Sequence, residues 1–156
     1  MKTKKSEKGM FWPFRLLIAV IIAFATLIII LSTINYFHQY RLKVSWQRFL
    51  NAFEDAYNAP STPSQPDKGI KIEKDLVFGT TTISSITLAQ QFNMPEECIT
   101  FQAPGYSQIE ILNSGKTAKI SREINSAVYF QCIVDETDTA CKTRCYISFS
   151  LPPEIP

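Results

Sequence analysis

Histidine is almost absent from this chain: the single one, His38, lies in the first third. With no second imidazole, Ser-His-Asp relays, Cys-His pairs and histidine metal sites are excluded from the distal portion. No G-x-x-x-x-G-K-[ST] loop and no G-x-G-x-x-G occurs, so the usual phosphate cradles are missing. Internal repeats and Asn-x-Ser/Thr sequons are absent too. Residues 59–156 carry eight Lys/Arg against eleven Asp/Glu and no basic stripe interleaved with aromatics. Nucleic-acid binding draws on clustered cations that release counterions, and this region lacks them. The expectation is a chain with no catalytic residue, no metal and no cofactor.

Glycine and proline are missing from residues 14–58, and charge is missing from residues 16–34. That uncharged run spans about 28 Å as a helix, close to the thickness of a bilayer core. A transmembrane helix is expected over residues 14–37, with the lipid bilayer as its partner. Pro13 suits a first helical turn, and Trp12 and Phe11 on one side, with Tyr36, Phe37 and Tyr40 on the other, suit the two interfaces. Arg15 can snorkel to the headgroups. A cleaved secretory signal has a shorter apolar stretch and a small-x-small exit, whereas this run leaves through Ser32-Thr33-Ile34-Asn35-Tyr36-Phe37. Five basic residues precede the run and three follow it within about fifteen positions, so the positive-inside rule puts residues 1–13 in the cytoplasm as a basic leader. The distal part then lies outside the cell membrane. All four cysteines fall there, on the oxidising side.

Past the membrane, residues 38–58 read as an amphipathic juxtamembrane helix. Leu42, Trp46, Phe49, Leu50, Phe53 and Tyr57 form one apolar stripe at i, i+4, i+7 and i+8 spacing, with Arg48, Asn51, Glu54 and Asp55 largely off it. The stripe either docks on the chain's own distal domain or packs against another copy or another membrane or surface protein. Three prolines between positions 60 and 66 mark residues 59–68 as a stiff linker.

From residue 69 the pattern alternates. Ile70, Ile72, Leu76 and Phe78 share a parity that Lys74 interrupts. Thr87-Leu88-Ala89-Gln90 has capping-box spacing and opens a short helix through Phe92. Strands are expected over 98–103, 106–112, 117–122, 127–134 and 141–150, with Asn113-Ser114-Gly115-Lys116 as a hairpin turn. Cys98, Cys132, Cys141 and Cys145 lack paired C-x2-C knuckles, which favours two disulfides over a four-cysteine metal site or free thiols. Cys132 can reach Cys141 or Cys145 across the last hairpin, and Cys98 takes the cysteine left over. Glu96-Glu97 and Asp135, Glu136 and Asp138 read as solvated turn charges, since the Gly and bidentate Glu of an EF-hand are missing. Tyr106, Tyr129 and Tyr146 are the candidates for an exposed ligand platform.

The order of parts resembles that of type IV pilins and pilin-like surface proteins, especially archaeal ones: a basic leader ending in Lys8-Gly9, an apolar segment, a long helix and a β-rich head. The resemblance implies processing after Gly9 and bundling of the apolar helices into a filament. Where that family often carries Glu at the fifth mature position this chain has Phe14, and Pro13 and Arg15 interrupt the apolar stretch. Met94-Pro-Glu-Glu-Cys98, Tyr129-Phe-Gln-Cys132 and Cys145-Tyr-Ile-Ser-Phe149 resemble segments of small archaeal single-span membrane proteins that carry no known activity.

The expected fold class is α+β: a long transmembrane helix continuing into the juxtamembrane helix, then a small disulfide-stapled antiparallel β domain, sandwich or roll, over residues 69–156. The expected function is that of a non-enzymatic, membrane-anchored surface protein engaged in interaction or assembly. The alternatives are a pilin-like filament subunit and an extracytoplasmic ligand-binding module.

Overall fold

The computed structural model describes residues 11–62, 69–134 and 138–155, with only the backbone of Phe11 described. Gly9, linker residues 63–68, and Asp135 and Glu136 lie outside the described residues. The chain is α+β and forms two compact units, residues 1–40 and 41–156.

Helix α1 runs Phe11–Asn58, 48 residues. Its freedom from helix breakers after Pro13 accounts for the length. In the first unit the large apolar side chains from Trp12 to Tyr40 are 42–72% exposed. Two hydroxyls in this stretch turn back onto the helix: Thr26 Oγ1 donates to Ala23 O at 2.9 Å and Thr33 Oγ1 to Ile29 O at 2.7 Å.

The second unit begins with the last turns of α1 and adds two sheets. The four-stranded sheet has the order β1-β6-β7-β3, from β1 (Lys71–Phe78), β6 (Ile124–Val134), β7 (Thr143–Phe149) and β3 (Ile99–Gln102). The three-stranded sheet has the order β2-β5-β4, from β2 (Thr81–Ser84), β5 (Thr117–Ile120) and β4 (Ile109–Leu112). A short helix α2, Ser85–Phe92, and one 3₁₀ turn, Glu96–Cys98, connect β2 to β3. One core draws on both sheets and on α1, including Phe49, Phe53, Phe78, Phe130 and Phe149.

Three expectations need correction, and one strand was not expected at all. The β domain is not wholly antiparallel, because β3 pairs with β7 in parallel, Ile99 opposite Cys145. About forty residues and a hairpin of the other sheet separate these strands, so no tight turn imposes an antiparallel return. Ile72 does not join the buried face and is 47% exposed. The register of β1 on β6 shifts between Glu73 and Leu76, with Asp75 at φ 58, and this bulge turns the two halves of the strand to different faces. The cap of α2 is Ser84, whose hydroxyl accepts from Ile86 N, and Thr87 lies inside the helix. Strand β2 carries too few alternating apolar residues to announce itself, and its pairing with β5 makes it.

Candidate functional site

The stripe of α1 meets the β strands within the second unit. Phe49 and Phe53 are fully buried. Phe49 lies edge-on to Phe130 at 5.0 Å and to Phe78 at 5.8 Å, and Trp46 stacks on it at 5.1 Å. Phe53 tilts against Phe92 at 4.9 Å. Trp46, Leu50 and Tyr57 are half-buried and border the core, and the half-buried Leu42 lies beside Gly79. The centre of the stripe includes three small residues missed by a search for large apolar ones: Ser45, Ala52 and Ala56 are all buried. They fall on the same helical face at i, i+7 and i+11, which was the available signal.

The helix also serves the outer edge of β1, a strand paired only with β6. Ser45 Oγ accepts from Val77 N at 3.0 Å. Arg48 donates to Lys74 O at 3.0 Å and, through Nε, to Glu73 Oε2 at 3.1 Å. Edge groups that would otherwise be free to pair with another chain are thereby covered at the bulge. Beyond Asn58, Ser61 forms a parallel bridge to Ile133, with Ser61 N donating to Cys132 O at 2.8 Å and Val134 N to Ser61 O at 3.0 Å.

All four cysteines are in disulfides, Cys98–Cys141 and Cys132–Cys145. Cys132 and Cys145 stand directly opposite each other on β6 and β7, which decides between its two sequence-level partners. Among the described residues no group of three or more His, Cys, Asp or Glu is placed to hold a metal. Asp138 orders the approach to Cys141: its Oδ1 accepts from Ala140 N at 2.9 Å and Cys141 N at 3.2 Å, and its Oδ2 pairs with Arg144. The Arg144 hydrogen bond, then those two amides, hold its carboxyl below the usual aspartate range.

Lys116 joins the sheets and was not singled out by sequence. Its Nζ donates to Glu97 O at 2.8 Å, Ile99 O at 3.0 Å and Glu96 O at 3.3 Å, gathering the carbonyls around the 3₁₀ turn. Burial lowers its pKa, while the nearby Glu97 and Glu96 charges oppose that shift. Next to it, Gly115 O accepts from Phe101 N at 2.7 Å. Gln102, on the outer strand β3, grips Glu154 through both halves of its amide, at 2.7 and 2.8 Å. The three tyrosines do not form one platform: Tyr146 is buried, Tyr129 is half-buried, and Tyr106 donates to Asn125 O at 3.3 Å.

The described residues enclose several concavities, three of which border the elements above. A cleft of about 230 Å³ opens between Leu42 and Trp46 of α1 and residues 77–81 of the β1–β2 connection. Another of about 230 Å³ lies beside Cys98, with Tyr57, Asn93 and Lys142. A third, about 520 Å³, is a shallow groove along Ile86, Ala89, Met94 and Pro95.

No protein-family model matches the chain, and no curated protein or solved structure matches it significantly.

Proposed function

We propose that this chain is a non-enzymatic single-pass membrane protein of the cell surface, with residues 1–13 cytoplasmic and residues 69–156 extracytoplasmic. The observation that carries the reading is the face of α1 over residues 16–34: apolar side chains exposed all round, and threonine hydroxyls bonded back to the helix. Water disfavours such a surface, whereas a hydrocarbon layer accepts a helix whose backbone bonds are internal. Both disulfides lie in the distal unit, which supports an oxidising compartment for it. The distal unit, a small two-sheet domain of sandwich or roll type, would present an interaction or assembly surface for another surface protein or a second copy. The stripe's largest side chains supply the domain's own core, so that surface must be sought elsewhere on the domain. Alkaline carbonate washing of membranes tests the anchor. The chain should stay in the pellet, and release into the wash contradicts the reading. Intact mass of the pelleted chain tests the leader: a species lacking residues 1–9 would move the protein toward the pilin-like alternative.

A further inference from the structure

The two disulfides differ in what surrounds them. Cys132–Cys145 ties β6 to β7, each of which has a neighbouring strand on both sides, and its residues are 0% and 1% exposed. Register pairs from Val128 with Phe149 to Val134 with Thr143 hold these strands together around it. Cys98–Cys141 ties two connections instead: Cys98 closes the 3₁₀ turn before β3, and Cys141 stands two residues before β7. Cys98 also lines the cleft that it shares with Tyr57, Asn93, Pro95, Thr139 and Lys142, and neither Cys132 nor Cys145 borders that cleft.

The walls of this cleft are held differently. On one side, Met94 N donates to Ala89 O at 3.0 Å, and Lys116 Nζ holds the carbonyls of Glu96 and Glu97. On the other, residues 139–142 belong to no strand or helix, and Thr139, Ala140 and Lys142 are exposed. This second wall is tied by the bond at Cys141 and by the Asp138 carboxylate, which accepts from Ala140 N and Cys141 N. A connection of this kind opens locally at less cost than the separation of two interior strands. The longer separation of the Cys98 bridge, 43 residues against 13, makes it the more stabilising of the two. Access, not weakness, therefore sets the order in which thiols reach them.

We infer that Cys98–Cys141 is a redox latch on this cleft: a dithiol opens it while Cys132–Cys145 stays closed, and residues 139–142 are then free to swing from the wall at residues 93–97. One thiolate of the dithiol attacks the Cys98 sulfur, and Cys141 leaves and takes up a proton. The second thiol then attacks the dithiol's own sulfur in the mixed disulfide, and Cys98 leaves and is protonated in turn. The bridge gains two electrons and two protons, and the dithiol becomes a disulfide. The wall at residues 93–97 keeps its own bonds, so the opening is confined to one side of the cleft. The full chain in detergent is treated with dithiothreitol at rising concentration, quenched with iodoacetamide and mapped by peptide mass, and the two-label species is followed by hydrogen exchange. The first species should carry labels at Cys98 and Cys141 alone and form at least about tenfold faster than any species labelled at Cys132 or Cys145. It should keep a cooperative melt at a lower midpoint, with amide exchange raised over residues 139–142 and unchanged over residues 93–101. The C98A/C141A variant should show the same pattern with no reductant present. First labels at Cys132 or Cys145, four labels appearing together, or no label short of denaturation overturns the latch. Labels at Cys98 and Cys141 with exchange raised over both walls, or with the cooperative melt lost, overturn the confined opening.

Discussion

Gly115 is where a single atom decides whether the two sheets can meet. Its φ is +88, and an added Cβ would stand 2.9 Å from Thr100 Cγ2. Gly115→Ala should therefore destabilise the domain by about 1–3 kcal/mol, read by denaturant melting. The neighbouring Lys116→Met keeps the side chain's bulk and removes the three hydrogen bonds that Nζ donates to the carbonyls of Glu96, Glu97 and Ile99. A loss of about 1–3 kcal/mol is expected. Asp138 gives a pH signature. Its folded pKa lies below the ordinary 3.8, so its stabilisation is fully present above that value and is lost as pH falls through the folded pKa. Asp138→Asn should flatten the acid limb of a stability–pH curve below about pH 4 while leaving the slope near neutrality unchanged. Asn113-Ser114-Gly115-Lys116 was legible as a turn because glycine and asparagine tolerate positive φ. That Lys116 reaches carbonyls nearly twenty residues upstream was not legible, since nothing in local sequence states where a lysine's end will land.

Among the elements, α1 lends Phe49 and Phe53 to the domain's core, and two disulfides staple its strands. Phe49→Ala should cost about 3–5 kcal/mol, because Phe49 is fully buried and packs on aromatic rings from β1 and β6. Thermal melting of the full chain in detergent checks it. The bridges should differ: Cys98–Cys141 closes a separation of 43 residues and Cys132–Cys145 one of 13. Loop entropy predicts that replacing the first pair by alanine costs about 1 kcal/mol more than replacing the second. Helix α1 was readable from the absence of breakers and from its spacing, as were strands β6 and β7 from their alternation. Strand β2 and the parallel pairing of β3 were not, because a four-residue strand takes its identity from its neighbours. The bulge in β1 left one trace, the Lys74 interruption, which marks a change of face without saying which half is buried.

At the scale of the molecule, the proposed topology requires two environments along one chain: hydrocarbon for residues 16–34 and an oxidising aqueous compartment for the second unit. Lysines report on both. Lys71, Lys74, Lys119 and Lys142 are exposed on the distal unit, and Lys2, Lys4, Lys5 and Lys8 lie in the leader. Intact cells treated with a membrane-impermeant amine-reactive reagent, followed by peptide mass analysis of the recovered chain, test the topology directly. Modification at the four distal lysines, with the leader lysines modified only after permeabilisation, is the predicted result. Modified leader lysines together with protected distal lysines in intact cells would contradict it.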